Sequence, residues 1–240
     1  MEVSKKELDG MEVVRKELRD MTLEELWALF PIELVPHRAE WVEWAKEEIV
    51  LLSGLLSAFS PIISHIGSTA IPNIWAKPIV DILVEVPMSV DINVIMDEMG
   101  SERIDGMRDG DRNKIEVVGG YPTVMENRAE MWQRLKALME DNGYIRMSES
   151  AGRMSFNKGY TPEGYAERVF HIHFHNVGDN DEVYFRDYLI AHPEIAKDYE
   201  ALKLSLLPEY RNNRDGYTEA KSDFVRRITA MAKSEISIVQ

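Results

Sequence analysis

The chemistry-bearing side chains of this sequence fall into an anion-binding set and a cation-binding set. Gly67-Ser68 follows the short apolar run Ile62-Ile63. A Gly-Ser turn opening a helix offers backbone N–H groups and a hydroxyl to an anion. Asp81 stands inside Ile79-Val80-Asp81-Ile82-Leu83-Val84-Glu85-Val86, a run rich in β-branched residues. A carboxylate within a buried strand is costly unless a cation or hydrogen-bond donors face it. His171, His173 and His175 alternate in VFHIHFHN, so a strand there turns all three to one face. A His-x-His pair can chelate zinc or another transition metal. His175 is expected at the surface, and His192 before Pro193 reads as a helix start. Plainer roles also fit: Ser68 as a helix cap, Asp81 paired with a Lys or Arg, and the histidines bonded to Asp81 or backbone without metal.

Lys77, four residues before Asp81, is the first choice for a phosphate contact, with an ion pair to Asp81 as its other role. Arg153 and Lys158 flank a strand beside the histidine strand and can point into the same cleft. Arg186, Lys203 and Lys221 recur on C-terminal helices that can close over an anion; solvated helix faces explain them equally well.

The elements that must position these residues can be read from hydrophobic periodicity. Residues 4–20 predict a charged helix, and Thr22-Leu23-Glu24-Glu25 is a capping-box pattern starting a helix that Pro31 ends. Residues 32–35 predict a short strand and 37–58 a long helix with Trp41, Ala45, Ile49, Leu52 and Leu56 inward. Strands are expected over 60–66 and 79–86, with a helix or turn from Ser68 to Ile74 between them. Helices follow over 88–99 and 124–141. Between them lies a Gly-, Asp- and Arg-rich excursion, 100–122, holding one strand at 114–118. Three strands are expected at 144–147, 153–158 and 168–176, then helices at 183–191, 193–207 and 216–236. This order predicts a mixed sheet flanked by helices. Residues 1–30 read as an N-terminal helical extension and 31–240 as one domain, with its C-terminal helices from about 183.

Composition bounds the possibilities. The 240 residues are 45% hydrophobic, enough for a sizeable core, and contain no cysteine, which excludes disulfides, thiolate metal sites and thiol nucleophiles. No apolar run approaches the roughly 20 residues of a membrane span, and the N-terminus has no signal-peptide core, so a cytoplasmic protein is expected. A net charge of -14 makes long nucleic acids poor partners. The charge is uneven: residues 1–60 carry 13 acids and 7 Lys/Arg, whereas 197–227 carry 6 acids and 7 Lys/Arg. An anionic ligand is therefore expected towards the middle and C-terminal parts.

The string HIGSTAIPNIWAKPIVDILV closely resembles the signature of the GrpB family, a branch of the nucleotidyltransferase-like fold. The likeness extends to Ile32-Glu33-Leu34-Val35-Pro36, His171-Ile172-His173, Phe185-Arg186-Asp187-Tyr188-Leu189, Ala191-His192-Pro193, Tyr199-Glu200-Ala201-Leu202-Lys203 and Tyr217-Thr218-Glu219-Ala220-Lys221. The first 30 residues and the excursion near 100–122 depart from it. In the nucleotidyltransferase superfamily a Gly-Ser turn holds the triphosphate, and two acids, one apolar residue apart on a strand, hold divalent cations. Here position 83 is Leu, and Glu85 lies about 13 Å further along the strand, too far to share a metal with Asp81. The resemblance implies a mixed α/β nucleotidyltransferase-like fold with a helical C-terminal portion. It implies the reaction less strongly than the fold: the leading expectation is a small phosphorylated ligand or nucleotide at Gly67 and Ser68, with Lys77 balancing charge and Mg²⁺ or Mn²⁺ at Asp81, and, if the protein is catalytic, nucleotidyl transfer to an acceptor. In the superfamily a third carboxylate comes from a later strand, and His171 or His173 would take that place here, giving an Asp-plus-His metal site with Asp81. The missing acid motivates an alternative, a non-catalytic ligand-binding module of the same fold. A third reading is a metalloenzyme built on His171 and His173.

Overall fold

A computed structural model describes residues 16–87, 115–118, 121–124 and 128–239. Seven helices and seven strands are assigned among these residues. In chain order they are α1 (Leu23–Leu29), α2 (Glu40–Leu55), β1 (Ile62–Ile66), β2 (Val80–Val86), β3 (Ile115–Val118), β4 (Tyr121–Val124) and α3 (Arg128–Asp141). They continue with β5 (Ile145–Ser150), β6 (Arg153–Thr161), β7 (Gly164–Asn176), α4 (Asp181–Ala191), α5 (Pro193–Tyr210), α6 (Arg214–Glu219) and α7 (Ser222–Val239). Of the helix expected over 4–20, residues 4–15 lie outside the described residues and the described remainder holds only a 3-10 turn, Leu18–Asp20; the helix expected over 88–99 also lies outside them. Of the 100–122 excursion, only β3 and the start of its antiparallel partner β4 are described.

Five strands form one mixed sheet in the order β1-β2-β7-β6-β5. The pair β2–β7 is parallel and the other pairs are antiparallel. The alternation of β2 and β7 sorts their side chains. Val80, Ile82, Val84 and Val86 join Phe170, Ile172 and Phe174 in a core with Trp41, Ala45 and Leu52 of α2 and Met131, Leu135 and Met139 of α3. The opposite face carries Asp81 and the histidines. The C-terminal helices build a second core there, with Phe185, Leu189, Ala196, Tyr199 and Ile228 around Ile71 and Ile74 of the loop after Gly67. This is the mixed sheet with flanking helices that the sequence predicts.

Several local expectations are refined. Residues 32–35 form no strand; Val35 makes a single antiparallel bridge to Ala76. The capping box is present: Thr22 Oγ1 accepts from the Glu25 N–H at 3.2 Å, and Glu25 Oε2 accepts from the Thr22 N–H at 2.8 Å. Leu18, Leu26 and Leu29 pack on Phe30, Ile79, Tyr160 and Val169, so this part of the N-terminal segment lies against the sheet. The single helix expected over 216–236 is two, α6 and α7, separated at Ala220-Lys221. Among the described residues no helix is long and apolar enough to cross a membrane.

A bulge at Gly159 re-aims the end of β6. The register with β7 shifts between Lys158 and Tyr160, and Gly159 has φ +87 with its Cα facing the Arg168 carbonyl oxygen, only 2.2 Å from where a Cβ would stand. The extra residue reverses the alternation, so Tyr160 points to the histidine face while Phe156 and Lys158 point to the α2 face.

Candidate functional site

Gly67 ends β1 with φ +70 and opens the short helical turn Ser68–Ala70. The loop that follows is fixed from α5. Glu200 accepts from the Trp75 N–H at 2.6 Å, and Lys197 donates to the Asn73 carbonyl at 2.6 Å. Lys203 donates to the Ser68 hydroxyl at 3.1 Å and to the Trp75 carbonyl. Lys197, Glu200 and Lys203 recur every third residue along α5, so one helix face clamps the turn.

β2 carries Asp81 beside this turn, and the parallel register sets Asp81 against His171 and Leu83 against His173. Asp81 Oδ1 lies 3.1 Å from His173 Nε2 and 3.4 Å from His171 Nδ1. One ligand atom from each of the three residues lies within 4.8 Å of the others, a spacing that can hold one metal ion. Burial alone would raise the Asp81 pKa, but hydrogen bonds from His171 and His173 hold the carboxyl far below its usual range. Burial pushes the His171 imidazole down, against the pull of Asp81. A neutral imidazole is the form that ligates metals. The Tyr160 hydroxyl lies 2.8 Å from His171 Nε2 and accepts from Arg214, also at 2.8 Å. This contact orients the ring of His171 from behind.

Three lysines converge on the same place. Lys77, Lys203 and Lys221 line a cavity of about 670 Å³ with Gly67, Ser68, Asp81, His171 and His173. Burial lowers Lys77 to about 8, helped by Arg214 and opposed by Asp81. Burial also lowers Lys203 to about 7, with Lys77 and Lys197 adding repulsion and Glu200 opposing. Lys221 falls to about 7 through burial and then repulsion from Lys77 and Lys203. Each lysine lies over a tyrosine ring: Lys203 is 4.8 Å from the centre of Tyr199, and Lys221 and Lys77 are 4.3 Å and 6.0 Å from that of Tyr217. Among the described residues none of the three forms an ion pair within 4.0 Å. In a chain of net charge -14, this cavity is lined by six cations, Arg19, Lys77, Arg146, Lys203, Arg214 and Lys221, against Asp81 and Asp215. A second cavity of about 530 Å³ adjoins it, sharing Gly67, Asp81, His173, Tyr199, Thr218 and Lys221.

Other expected site residues lie elsewhere. Lys158 projects from the α2 face of β6, where its amino group donates to both oxygens of the buried Glu48 at 2.7 and 2.8 Å. Strand alternation puts it on the wrong side of the sheet for the cavity. Arg153 starts β6 opposite His175, because β6 runs antiparallel to β7, and it forms a two-pronged ion pair with Asp179 at 2.6 and 2.8 Å. It belongs to the far end of the strand from His171. His175 is not at the surface; it is 4% exposed and its Nδ1 lies 2.7 Å from the Asp179 carbonyl. Glu85 accepts from the Gly178 N–H at 2.8 Å and fixes the turn after β7. Arg186 donates to the His65 carbonyl and does not line the cavity.

Periodicity leaves Tyr160, Asn157 and Arg214 unmarked, because a register shift and helix docking bring them to the site. Tyr199 and Tyr217 leave a signal, the twice-used spacing Tyr-x-x-x-Lys in Tyr199…Lys203 and Tyr217…Lys221, which stacks Lys203 on Tyr199 across one turn of α5 and Lys221 on Tyr217 across the break after α6.

Comparison with known proteins bears on the family and the fold. The profile described as GrpB protein matches residues 31–113 and 122–231. UPF0157 protein YqkA of Bacillus subtilis (strain 168) is 30% identical over 207 residues, which are 84% of this chain and 47% of that protein. The chain thus spans about half the length of that relative. Glutamate-rich protein GrpB of Alkalihalophilus pseudofirmus is 29% identical over 200 residues, 81% of this chain and 92% of that protein. The crystal structure of the conserved protein GrpB from Enterococcus faecalis superposes with a TM-score of 0.59 at 26% identity, covering 85% of this chain and 99% of that one. The chain belongs to the GrpB family.

Proposed function

We propose that this protein binds a phosphorylated small molecule, a nucleotide above all. Its phosphates would lie among Lys77, Lys203 and Lys221 at the Gly67-Ser68 turn, with one divalent cation at Asp81, His171 and His173. The observation that supports this reading is the convergence of three desolvated, mutually repelling lysines on the turn. Held charges of one sign cost folding free energy, and an anion bound among them would offset that cost. Two imidazoles and one carboxylate suit Mn²⁺, Zn²⁺ or Fe²⁺ better than Mg²⁺, which favours an all-oxygen octahedron. Such a cation supplies Lewis-acid polarisation of a phosphoryl oxygen.

In this reading the lysines neutralise the phosphates, Gly67 allows close approach of the chain to Asp81, and Tyr160 sets the orientation of His171. Nucleotidyl transfer to an acceptor is the reaction these roles suit. A non-catalytic binding role is favoured by one specific observation. Leu83, where the superfamily pattern places its second acid, is fully buried beside His173 and offers no ligand.

The test uses labelled nucleoside triphosphates with Mn²⁺ or Mg²⁺, with Asp81→Ala as control. Pyrophosphate release lost in the variant supports transfer. Nucleotide-dependent thermal stabilisation without release supports binding alone. Neither signal with any nucleotide contradicts both. Metal analysis of protein purified without a histidine tag, before and after Mn²⁺ or Zn²⁺ loading, should show about one ion per chain, lost in His173→Ala. No retained ion in the wild type would remove the metal from the account.

A further inference from the structure

The cavity continues well beyond the lysines. At about 670 Å³ it has the size of a drug-like ligand site and greatly exceeds a phosphate. Its floor is one register row across the sheet: Asp81 faces His171, His171 faces Asn157, and Asn157 faces Ile145 on the edge strand. At about 4.8 Å between strands, Asn157 lies about 10 Å from Asp81 and Ile145 about 14 Å.

The character of the lining changes along that row. At the Asp81 end are cations and imidazoles. Beyond Tyr160, whose ring centre lies 4.7 Å from that of Phe30, the wall is mainly apolar and comes from α1 and the edge strand, with the exposed Arg19 and the half-exposed Arg146 among it. Leu26 and Trp27 line it, with Leu23, Ile145 and Met147, which are 50%, 41% and 53% exposed. Large apolar side chains grouped at a cavity mouth mark a surface that something covers.

Asn157 lies between the two ends. It is 4% exposed and lines the cavity, yet among the described residues its side-chain amide makes no hydrogen bond. Its amide atoms are open to the cavity and offer a ligand both a donor and an acceptor. The row therefore offers, in order, a phosphate site, room for a pentose, a donor–acceptor pair and an apolar wall with an indole. A nucleoside phosphate has the same parts in the same order.

We infer that Asn157 and the α1 wall around Trp27 form a nucleobase compartment, in which the Asn157 amide pairs with the edge of the base and Leu26 and Trp27 cover its face. This inference rests on the reading that the cavity holds a phosphorylated ligand. It makes Asn157 a specificity-determining residue and assigns the N-terminal segment to the ligand site.

The experiment is a calorimetric titration, with Mn²⁺ present, of tripolyphosphate and of the four ribonucleoside triphosphates into the full chain. At least one nucleotide should bind about tenfold or more tightly than tripolyphosphate. Asn157→Leu and, independently, Trp27→Ala should each cut that advantage to within about threefold and leave tripolyphosphate affinity within about twofold. Trp27 stands on a half-exposed helix, so its variant reports even where the floor substitution disturbs folding; thermal melting identifies such a case. Tripolyphosphate binding as tightly as every nucleotide, or both variants leaving the advantage unchanged, would overturn the base compartment and leave the phosphate site standing. Binding of neither ligand would overturn the phosphate site itself.

Discussion

Gly67 and Asp81 are fitted to one another: a Cβ placed on Gly67 would stand 2.5 Å from Asp81 Oδ2 and 2.9 Å from its Cβ. The turn that would hold a phosphate and the carboxylate that would hold a cation thus share one constraint. Gly67 also sits at φ +70 and ψ -172, a conformation essentially confined to glycine. Gly67→Ala should cost about 1–3 kcal/mol of stability from backbone strain alone. It should also displace the Asp81 carboxylate. A thermal melt within a degree of wild type, with nucleotide binding intact, would show that the fit does not matter.

Lys221 separates stability from binding. It is desolvated, repelled by Lys77 and Lys203, and held over Tyr217. Lys221→Met keeps the stem and removes the charge, so the ligand-free variant should melt above the wild type. Its affinity for tripolyphosphate should fall about tenfold, the worth of one charge-assisted hydrogen bond. A variant that melts lower and binds equally well would identify Lys221 as a structural residue.

The two lysines near 7 make both stability and binding depend on pH. In the unfolded chain they keep the ordinary value of 10.5, so between about pH 7 and 10.5 the unfolded state binds more protons than the folded one. Stability of the ligand-free protein should therefore rise with pH across that window. A bound dianion favours the charged lysines, so binding should take up protons above pH 7 and weaken as pH rises. Sulfate is the suitable probe, because its own charge is constant there. Titrations in buffers of different ionisation enthalpy measure the uptake, and Lys203→Met/Lys221→Met should reduce it to the share of Lys77, which is lowered to about 8. Sulfate affinity independent of pH from 6 to 9 would contradict it.

Lys158 and Arg153 should behave differently from the cavity lysines. Lys158→Ala strands the buried Glu48 carboxylate, leaving among the described residues only the Tyr144 hydroxyl, 2.5 Å away, to face it. Lys158 is itself a third exposed, so water tempers the loss, and a cost of about 1–3 kcal/mol is expected. Arg153→Ala removes a half-exposed pair with Asp179 and should cost no more than about 1 kcal/mol. Both variants should bind nucleotide as wild type does. A tenfold loss in either would return that residue to the site.

Local pattern carried much of this structure and failed at identifiable points. Helical spacing placed Trp41, Ala45 and Leu52 in the core, and strand alternation put His171 and His173 on one face. The likeness of the string from His65 to Val84 to the family signature, not periodicity, tied the Gly67-Ser68 turn to Asp81, and the two are neighbours. Alternation could not show that Lys158 faces away from the histidines, because that depends on which residue of β6 opposes which of β7. Nor could it place Tyr160, which reaches His171 only through the bulge at Gly159. His175 looked exposed because its partner, the Asp179 carbonyl, belongs to a turn whose shape no periodicity encodes. The cationic cavity has residues from four separated stretches of chain, so only tertiary packing could assemble it.

The central claim is that the lysine cavity is a phosphate site, and a nucleoside triphosphate titration with Mn²⁺, comparing tag-free wild type with Lys77→Met/Lys221→Met, tests it most directly. Saturable binding of about one nucleotide per chain is expected, weakened more than about tenfold in the double variant while the fold is retained. Absence of saturable binding to the wild type by any nucleotide, or equal affinity in the double variant, would contradict it.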